Sequence, residues 1–231
     1  MLKHADEHGL EQASPCAGWS VLDVARHVEI TPRVLADGLE APALGAVRTS
    51  SPLPRSADRT DVTDGLSAGA VRLRRALERM EEADLEVQLA GPVGPMQCRK
   101  ALQLAVTEIA LHRCDIALGL RLEPELSDAT ATTMLDVIQA WLLLLAASDP
   151  RPAQPLCYQF TNGTSSWWFR FDGDTWDSTE CAADSTNVCR ATAQRSRLVL
   201  ALTGRSQIEQ TATNTTDIET LRQFKSYLPG P

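Results

Sequence analysis

The sequence predicts an α+β protein in which an N-terminal antiparallel four-helix bundle is followed by a smaller α+β domain. Within residues 1–150, apolar side chains recur at helical spacing over several long segments. β-branched and aromatic residues then lie on both sides of Asn162-Gly163, a dipeptide typical of hairpin turns. The segment Asp149-Pro150-Arg151-Pro152 separates the two compositions. We therefore expect one domain at residues 1–150 and a second at residues 151–231.

Helix signals divide the first domain into a short N-terminal helix and four longer ones. The short helix is expected to end before Ser14-Pro15. Ser20 is a good N-cap for the next helix, and Pro32 is expected to kink or interrupt it. Further helices are predicted at about residues 62–83, 99–118 and 127–147. The connections are predicted to be a long loop at residues 41–61 and a small hairpin or irregular excursion at residues 85–96.

Strand and turn signals alternate in the second domain. Strands are predicted at residues 156–161 and 165–171, joined at Asn162-Gly163. Asp172-Gly173-Asp174 marks another turn, and a strand is expected at residues 176–181 beyond it. The remaining elements are predicted to be a strand at 187–192, a helix at 194–203, a strand at 207–212 and a helix at 217–227.

Composition and charge argue against several classes of function. The formal net charge is -8, whereas nucleic-acid binding requires clustered Lys and Arg, so no nucleic-acid partner is expected. The most apolar run, residues 140–147, is far shorter than the roughly 20 residues that a helix needs to cross a bilayer. The N-terminus lacks a secretory signal, so we expect a cytoplasmic protein without a membrane partner. Its 6 cysteines form no CxxC pair and are expected to be free, mostly buried thiols.

Glu108 and His112 indicate the chemistry of the first domain. They lie four residues apart within one predicted helix, so both side chains project from the same face and can reach one metal ion. His27 is the natural third ligand. Two histidines and one carboxylate form a ligand set of catalytic zinc, which keeps one coordination position open. Asp115, one turn further along, is expected to orient a ligand or to cap local structure.

Each of these residues also has a purely structural interpretation. His27 alone is compatible with a hydrogen-bonded interior histidine, and Glu108 with His112 is compatible with a pair on a helix surface. Cys114 lies beside the pair in sequence but points away from its face, so it is not predicted to be a ligand.

Two stretches of this sequence resemble the mycothiol-dependent maleylpyruvate isomerase family, a branch of the DinB-like helix bundles. These are Ser14-Pro15-Cys16-Ala17-Gly18-Trp19-Ser20-Val21, which leads to His27, and Glu108-Ile109-Ala110-Leu111-His112-Arg113-Cys114-Asp115. The resemblance covers nearly the whole chain, because the family also has a second, sterol-carrier-like α+β domain. It implies that His27, Glu108 and His112 bind a metal, with zinc or another divalent ion expected. It also implies that Arg205, in the Thr203-Gly204-Arg205-Ser206 turn, is a catalytic residue that binds substrate.

The resemblance further implies an enzyme that uses mycothiol together with a small electrophilic substrate. Members of the family are cis-trans isomerases, S-transferases of detoxification or thiol-exchanging enzymes of natural-product biosynthesis, and the sequence does not separate these activities. Family members usually carry a longer segment before the motif that contains Gly18-Trp19. We therefore expect either that the first helix of the bundle is short, or that it is missing and a partner chain in a homodimer covers the groove left exposed. Two alternatives remain: a non-catalytic, metal-stabilised binding module, and a zinc hydrolase that activates water. Since HExxH is absent, the hydrolase ranks below the others.

Overall fold

The computed structural model divides into two compact units, Met1–Glu125 and Leu126–Pro231. It describes residues 1–2, 5, 7–40, 59–91, 94–147, 149–182, 187–211, 214–215 and 218–229. The α+β class and the order of a helical region before a sheet-containing region are as predicted. Most of the long loop predicted at residues 41–61 lies outside the described residues.

Among its described residues, the first unit contains helices and one small hairpin. Its helices are α1 (Glu7–Glu11), α2 (Val21–Glu40), α3 (Arg59–Leu77) and α4 (Cys98–Gly119), and a short 3-10 helix spans Glu82–Glu86. The hairpin pairs β1 (Gln88–Gly91) with β2 (Gly94–Gln97) in antiparallel fashion, which is the first of the two alternatives expected for residues 85–96. Because α2 packs against both α3 and α4, it is the central helix of this unit.

Helix α2 starts with reciprocal side-chain to backbone hydrogen bonds. The backbone N–H of Ser20 donates to Oδ2 of Asp23 at 3.1 Å, and the N–H of Asp23 donates to Oγ of Ser20 at 3.2 Å. This pairing satisfies N–H groups that a helix start leaves without a backbone partner. Of the kink or interruption expected at Pro32, the interruption is wrong, because α2 continues through Pro32 to Glu40 and buries the proline ring. Packing of the apolar face outweighs the one lost backbone hydrogen bond.

The buried face of α2 forms the core of the first unit. Val21, Val24, Ala25 and Val28 recur at helical spacing and pack together with side chains from α1, α3 and α4. At the end of α4, a Cβ on Gly119 would lie only 2.5 Å from Cγ2 of Val21. The absence of a side chain at Gly119 therefore permits the close approach of α4 to the start of α2.

The part of the second unit that the structure describes is a five-stranded sheet with helices. The strands are β3 (Leu156–Thr161), β4 (Ser166–Phe171), β5 (Trp176–Asp177), β6 (Val188–Thr192) and β7 (Asn214–Thr215), in the order β5-β4-β3-β6-β7. The helices are α5 (Asp128–Leu144), α6 (Arg195–Leu202), α7 (Ile208–Thr211) and α8 (Ile218–Tyr227). The β3–β4 hairpin at Asn162-Gly163 is as predicted, with Phe160 opposite Trp167. Strand β6 runs parallel to β3.

The boundary between the two compact units lies before α5, at residues 125–126, whereas the change in composition lies at residue 150. Helix α5 belongs to the second unit, where Trp167 Nε1 donates to Oδ1 of Asp136 at 3.1 Å and Gln139 Nε2 donates to the carbonyl of Trp168 at 2.8 Å. Because these partners lie on strand β4, the apolar face of α5 completes the core of the second unit. Sequence periodicity identified the helix but did not identify the unit to which it belongs.

Three further expectations for the second unit are wrong. Residues 208–211 of the strand predicted at 207–212 form the short helix α7, and β5 contains only two of the residues predicted at 176–181. Cys157 and Cys181 form a disulfide, whereas all six cysteines were expected to be free thiols. The spacing of 24 residues carries no recognisable pairing signal, since the sheet brings these residues together.

Among the described residues, no helix has the length and apolar character to cross a membrane.

Candidate active site

Three side chains from two helices of the first unit converge on one point. Helix α2 supplies His27, and α4 supplies Glu108 and His112. Oε1 of Glu108 lies 2.7 Å from Nε2 of His27 and 3.2 Å from Nε2 of His112. The two imidazole rings meet edge to face, with centroids 4.9 Å apart. We refer to these three residues as the His-Glu-His cluster.

The donor atoms of the His-Glu-His cluster fit a divalent metal ion. One atom from each residue lies within 4.8 Å of the other two, which is compatible with ligands arranged around a single ion. Two imidazole nitrogens and one carboxylate oxygen are ligands that zinc accepts, and three protein ligands leave a fourth position for water or substrate. The structure therefore brings together the three residues that the sequence predicted as ligands. Metal binding by them remains a prediction.

One side of the cluster faces solvent. The His27 side chain is 40% exposed and that of Glu108 26%, whereas that of His112 is only 12% exposed. A small molecule can therefore approach from the side of His27, while His112 lies deeper in the unit.

The close contacts within the cluster shift the pKa values of two groups in opposite directions. Hydrogen bonds from His112 and then from His27 lower the pKa of Glu108 to about 2, against the raising effect of burial. Burial by itself lowers the pKa of His112, but hydrogen bonds to Asp115 and Glu108 outweigh it and raise that pKa to about 9. Without a metal, the cluster is thus held together by an imidazolium and a carboxylate.

Asp115 lies behind His112 and fixes which ring nitrogen faces Glu108. It is fully buried, and its Oδ2 lies 2.9 Å from Nδ1 of His112. A carboxylate accepts hydrogen bonds, so Nδ1 carries the proton and Nε2 points to the cluster. This is the arrangement expected of a residue that orients a metal ligand from behind.

Cys16 and Trp19 also contact residues of the site, and the sequence did not predict this role for either. Sγ of Cys16 lies 3.2 Å from Oδ2 of Asp115 and 3.8 Å from Nδ1 of His112. The ring of Trp19 meets that of His27 with centroids 5.1 Å apart. Both residues belong to the stretch that carried the family resemblance, but its letters did not show that they contact the histidines. The motif therefore marked this stretch of the chain but did not indicate which of its side chains reach the site.

Arg205 belongs to the second unit. It follows α6 through Gly204, whose φ of +74 lies in the left-handed region that favours glycine. Nη1 of Arg205 donates to the carbonyl of Thr203 at 2.7 Å, near the C-terminal end of α6. Lys225 Nζ donates to the neighbouring carbonyl of Leu202 at 2.8 Å. Two cations therefore meet the negative end of one helix.

The fold and the site together define a class of candidate metal-binding bundle proteins. In this class, a helical unit carries two histidines and a carboxylate on two packed helices, and an α+β unit follows it in the chain. The family described as the mycothiol maleylpyruvate isomerase N-terminal domain matches residues 1–117, which include the entire His-Glu-His cluster. The chain belongs to this family. No curated protein matches the sequence.

Two solved structures share the fold at low sequence identity. One is a crystal structure of the mycothiol-dependent maleylpyruvate isomerase, with a TM-score of 0.52 and 12% identity over 93% of this chain and 85% of that one. The other is a histidine-to-alanine mutant of a mycothiol-dependent maleylpyruvate isomerase, with a TM-score of 0.50 and 11% identity over the same shares. At such identities the likeness concerns the fold.

Proposed function

We propose that this chain is a metal-dependent enzyme that uses mycothiol as a thiol cosubstrate or cofactor on a small electrophilic molecule. The reaction is either S-transfer or thiol exchange, in detoxification or natural-product biosynthesis, or a cis-trans isomerisation of the maleylpyruvate type. The observation that carries the proposal is the convergence of His27, Glu108 and His112 beside a solvent-facing side. Family membership supports mycothiol as the thiol. Formation of a homodimer and a cytoplasmic location remain predictions from the sequence.

Zinc fits the cluster best, and other divalent ions share its ligands. When bound, a zinc ion would lower the pKa of a coordinated thiol and so supply a thiolate at neutral pH. The remaining roles fall to side chains of the chain itself. Glu108 and the two imidazoles hold the donor atoms in place, and a negatively charged carboxylate balances part of the charge of the ion. Asp115 retains the proton on Nδ1 of His112, which keeps Nε2 available for coordination.

Arg205 is proposed to bind a carboxylate or a developing oxyanion of the substrate. A guanidinium presents parallel N–H donors that match the two oxygens of a carboxylate. The resemblance and the position of Arg205 after Gly204 support this assignment. A substrate that carries a carboxylate beside its electrophilic carbon would use such a group.

Zinc titration tests the cluster directly. Metal-free protein is titrated with zinc beside the variants His112→Ala and Glu108→Gln, and both variants are expected to bind zinc at least tenfold more weakly. His8→Ala is the matched control, because His8 lies on α1, is exposed and contacts Gln12 instead of the cluster. Equal zinc affinity in the parent and His112→Ala would overturn the metal site.

Mycothiol binding and turnover test the rest of the proposal. We expect mycothiol to bind the zinc-loaded parent and to bind the metal-free protein much more weakly. The loaded enzyme is then incubated with mycothiol and either maleylpyruvate or a set of thiol-reactive electrophiles, and products are identified by mass spectrometry. Zinc binding without any mycothiol binding would favour the non-catalytic binding module.

A further inference from the structure

A short loop before α2 reaches the back of the His-Glu-His cluster. We call residues 14–20 the Gly-Trp loop. The backbone N–H of Ser14 donates to the carbonyl of Trp19 at 2.9 Å, and the N–H of Trp19 donates to the carbonyl of Cys16 at 3.0 Å. The hydroxyl of Ser14 accepts from the N–H of Cys16 at 3.2 Å, and Gly18 takes a φ of +79. These bonds fix the backbone on both sides of Cys16, so its side chain has a defined direction.

The thiol of Cys16 points at the carboxylate that orients His112. Sγ of Cys16 lies 3.2 Å from Oδ2 of Asp115, the same oxygen that accepts from Nδ1 of His112 at 2.9 Å. Cys16 is half-buried and is not in a disulfide. Asp115 is fully buried, and a buried carboxylate is costly unless hydrogen-bond donors surround it. The thiol is therefore one of the donors that make the buried carboxylate tolerable.

We propose that Cys16 is a positioning residue for the metal site, acting through Asp115 on the orientation of His112. The thiol holds Oδ2 of Asp115 in line with Nδ1 of His112, and the imidazole then presents Nε2 to Glu108. Cys16 itself touches neither metal nor substrate in this assignment. The inference rests on the metal site of the proposed function but requires neither mycothiol nor a particular reaction.

The chemistry of a thiol suits this position. An S–H group is a weak donor, so it fixes the direction of the carboxylate while leaving most of its negative charge to His112. A hydroxyl at the same position keeps a donor, although its shorter bond to Cβ places the oxygen further from Asp115. A methyl group provides no donor at all. The pair Cys16→Ser and Cys16→Ala therefore separates the hydrogen bond from the volume of the side chain.

The first measurement is zinc affinity in the parent, Cys16→Ser, Cys16→Ala and the control Cys98→Ala. Cys98 is a buried thiol of the same unit at the start of α4, and it belongs to neither candidate ligand group among the described residues. We expect Cys16→Ala to bind zinc about tenfold more weakly and Cys16→Ser to stay within about threefold of the parent. Parent-like affinity in Cys16→Ala would overturn the proposal, as would a loss in Cys16→Ser equal to that in Cys16→Ala.

A second measurement reads the hydrogen bond without metal. In metal-free protein with 15N-labelled histidine, the Nδ1 proton of His112 is expected to give a downfield, slowly exchanging NMR signal in the parent and in Cys16→Ser. In Cys16→Ala that signal should broaden or exchange faster. If the parent binds no zinc, the proposed function fails while this measurement still decides the role of Cys16. An unchanged signal in Cys16→Ala would refute that role.

Cobalt substitution distinguishes positioning from direct ligation. Cys16, His112 and Asp115 also offer three donor atoms within 4.8 Å of one another, so ligation by the thiol is the competing interpretation. With one equivalent of cobalt, we expect the parent to show no thiolate-to-metal charge-transfer band. A band that is present in the parent and lost in Cys16→Ser would make Cys16 a ligand and overturn the proposal.

Discussion

Nδ1 of His112 lies 2.9 Å from Oδ2 of the fully buried Asp115, and this contact directs the other ring nitrogen of His112 to Glu108. Replacing Asp115 by Asn keeps the size of the side chain but removes its charge. We expect Asp115→Asn to weaken zinc binding by about tenfold to a hundredfold, because the imidazole becomes a poorer and less well-oriented ligand. Zinc affinity measured against a competing chelator checks this. As a control, Asp136→Asn changes a carboxylate of the second unit and should leave zinc affinity unchanged.

The stability of the metal-free protein should depend on pH in two separate ranges. The pKa of His112 is raised from 6.5 to about 9, so its contribution to the free energy of unfolding is complete below pH 6.5 and is lost as pH rises to 9. The pKa of Glu108 is lowered from 4.5 to about 2, so its contribution is complete above pH 4.5 and is lost as pH falls to 2. When urea unfolding is measured across pH, the free energy of unfolding should therefore include both contributions between about pH 4.5 and 6.5. His112→Ala should lack the loss on the alkaline side, and an identical slope there would contradict the assignment.

Trp19 should report zinc binding through its fluorescence. Its ring meets that of His27 with centroids 5.1 Å apart, and a change of charge on this imidazole alters the surroundings of the indole. We expect zinc to change the intrinsic fluorescence of the parent but not that of Trp19→Phe, which keeps a ring against His27. Trp176→Phe is the control, because Trp176 lies on β5 in the second unit and should leave the response intact. A full response in Trp19→Phe would show that the signal arises elsewhere.

Lys225 should make the second unit less stable at neutral pH than at alkaline pH. Burial first, and then the nearby charge of Arg205, lower the pKa of Lys225 from 10.5 to about 8. Between these values the unfolded chain binds a proton that the folded chain has released, so stability rises with pH. From pH 8 to 10.5, the free energy of unfolding of the parent should therefore rise relative to that of Lys225→Met. Lys100→Met, which removes an exposed lysine of the first unit, is the control for the loss of a lysine as such.

Arg205 should affect turnover without affecting the metal. Because Arg205 belongs to the second unit and the ligands to the first, Arg205→Met is expected to bind zinc as the parent does. If the guanidinium binds a charged group of the substrate, kcat/KM should fall by at least tenfold, and Arg205→Lys should recover only part of the loss. Steady-state kinetics beside zinc titration measures both quantities. Unchanged kcat/KM in Arg205→Met would remove Arg205 from the proposed machinery.

The elements that depend on local chemistry were predictable from the sequence. Ser20 as the start of α2, Asn162-Gly163 as a hairpin turn and Glu108 with His112 on one face follow from short-range geometry. The meeting of His27 with that pair was inferred from ligand chemistry and is produced by the packing of α2 on α4.

What the sequence did not indicate depends on tertiary structure. Pro32 is tolerated inside α2 because the helix is held by its packing, and α5 joins the second unit because its partners lie on β4. The disulfide between Cys157 and Cys181 and the approach of Cys16 to Asp115 join residues far apart in sequence. No periodicity or local motif encodes such contacts.

The tight contact between Gly119 and Val21 has a practical consequence for protein engineering. Even the methyl group of Gly119→Ala would meet Cγ2 of Val21 at 2.5 Å and the carbonyl of Ala13 at 3.3 Å. Relief of that collision has to move either α4 or the beginning of α2 with the chain just ahead of it, and Val21 lies only six residues before His27. Libraries meant to alter substrate preference should therefore leave Gly119 unchanged, since a larger side chain there would disturb the spacing between the predicted ligands on α2 and α4.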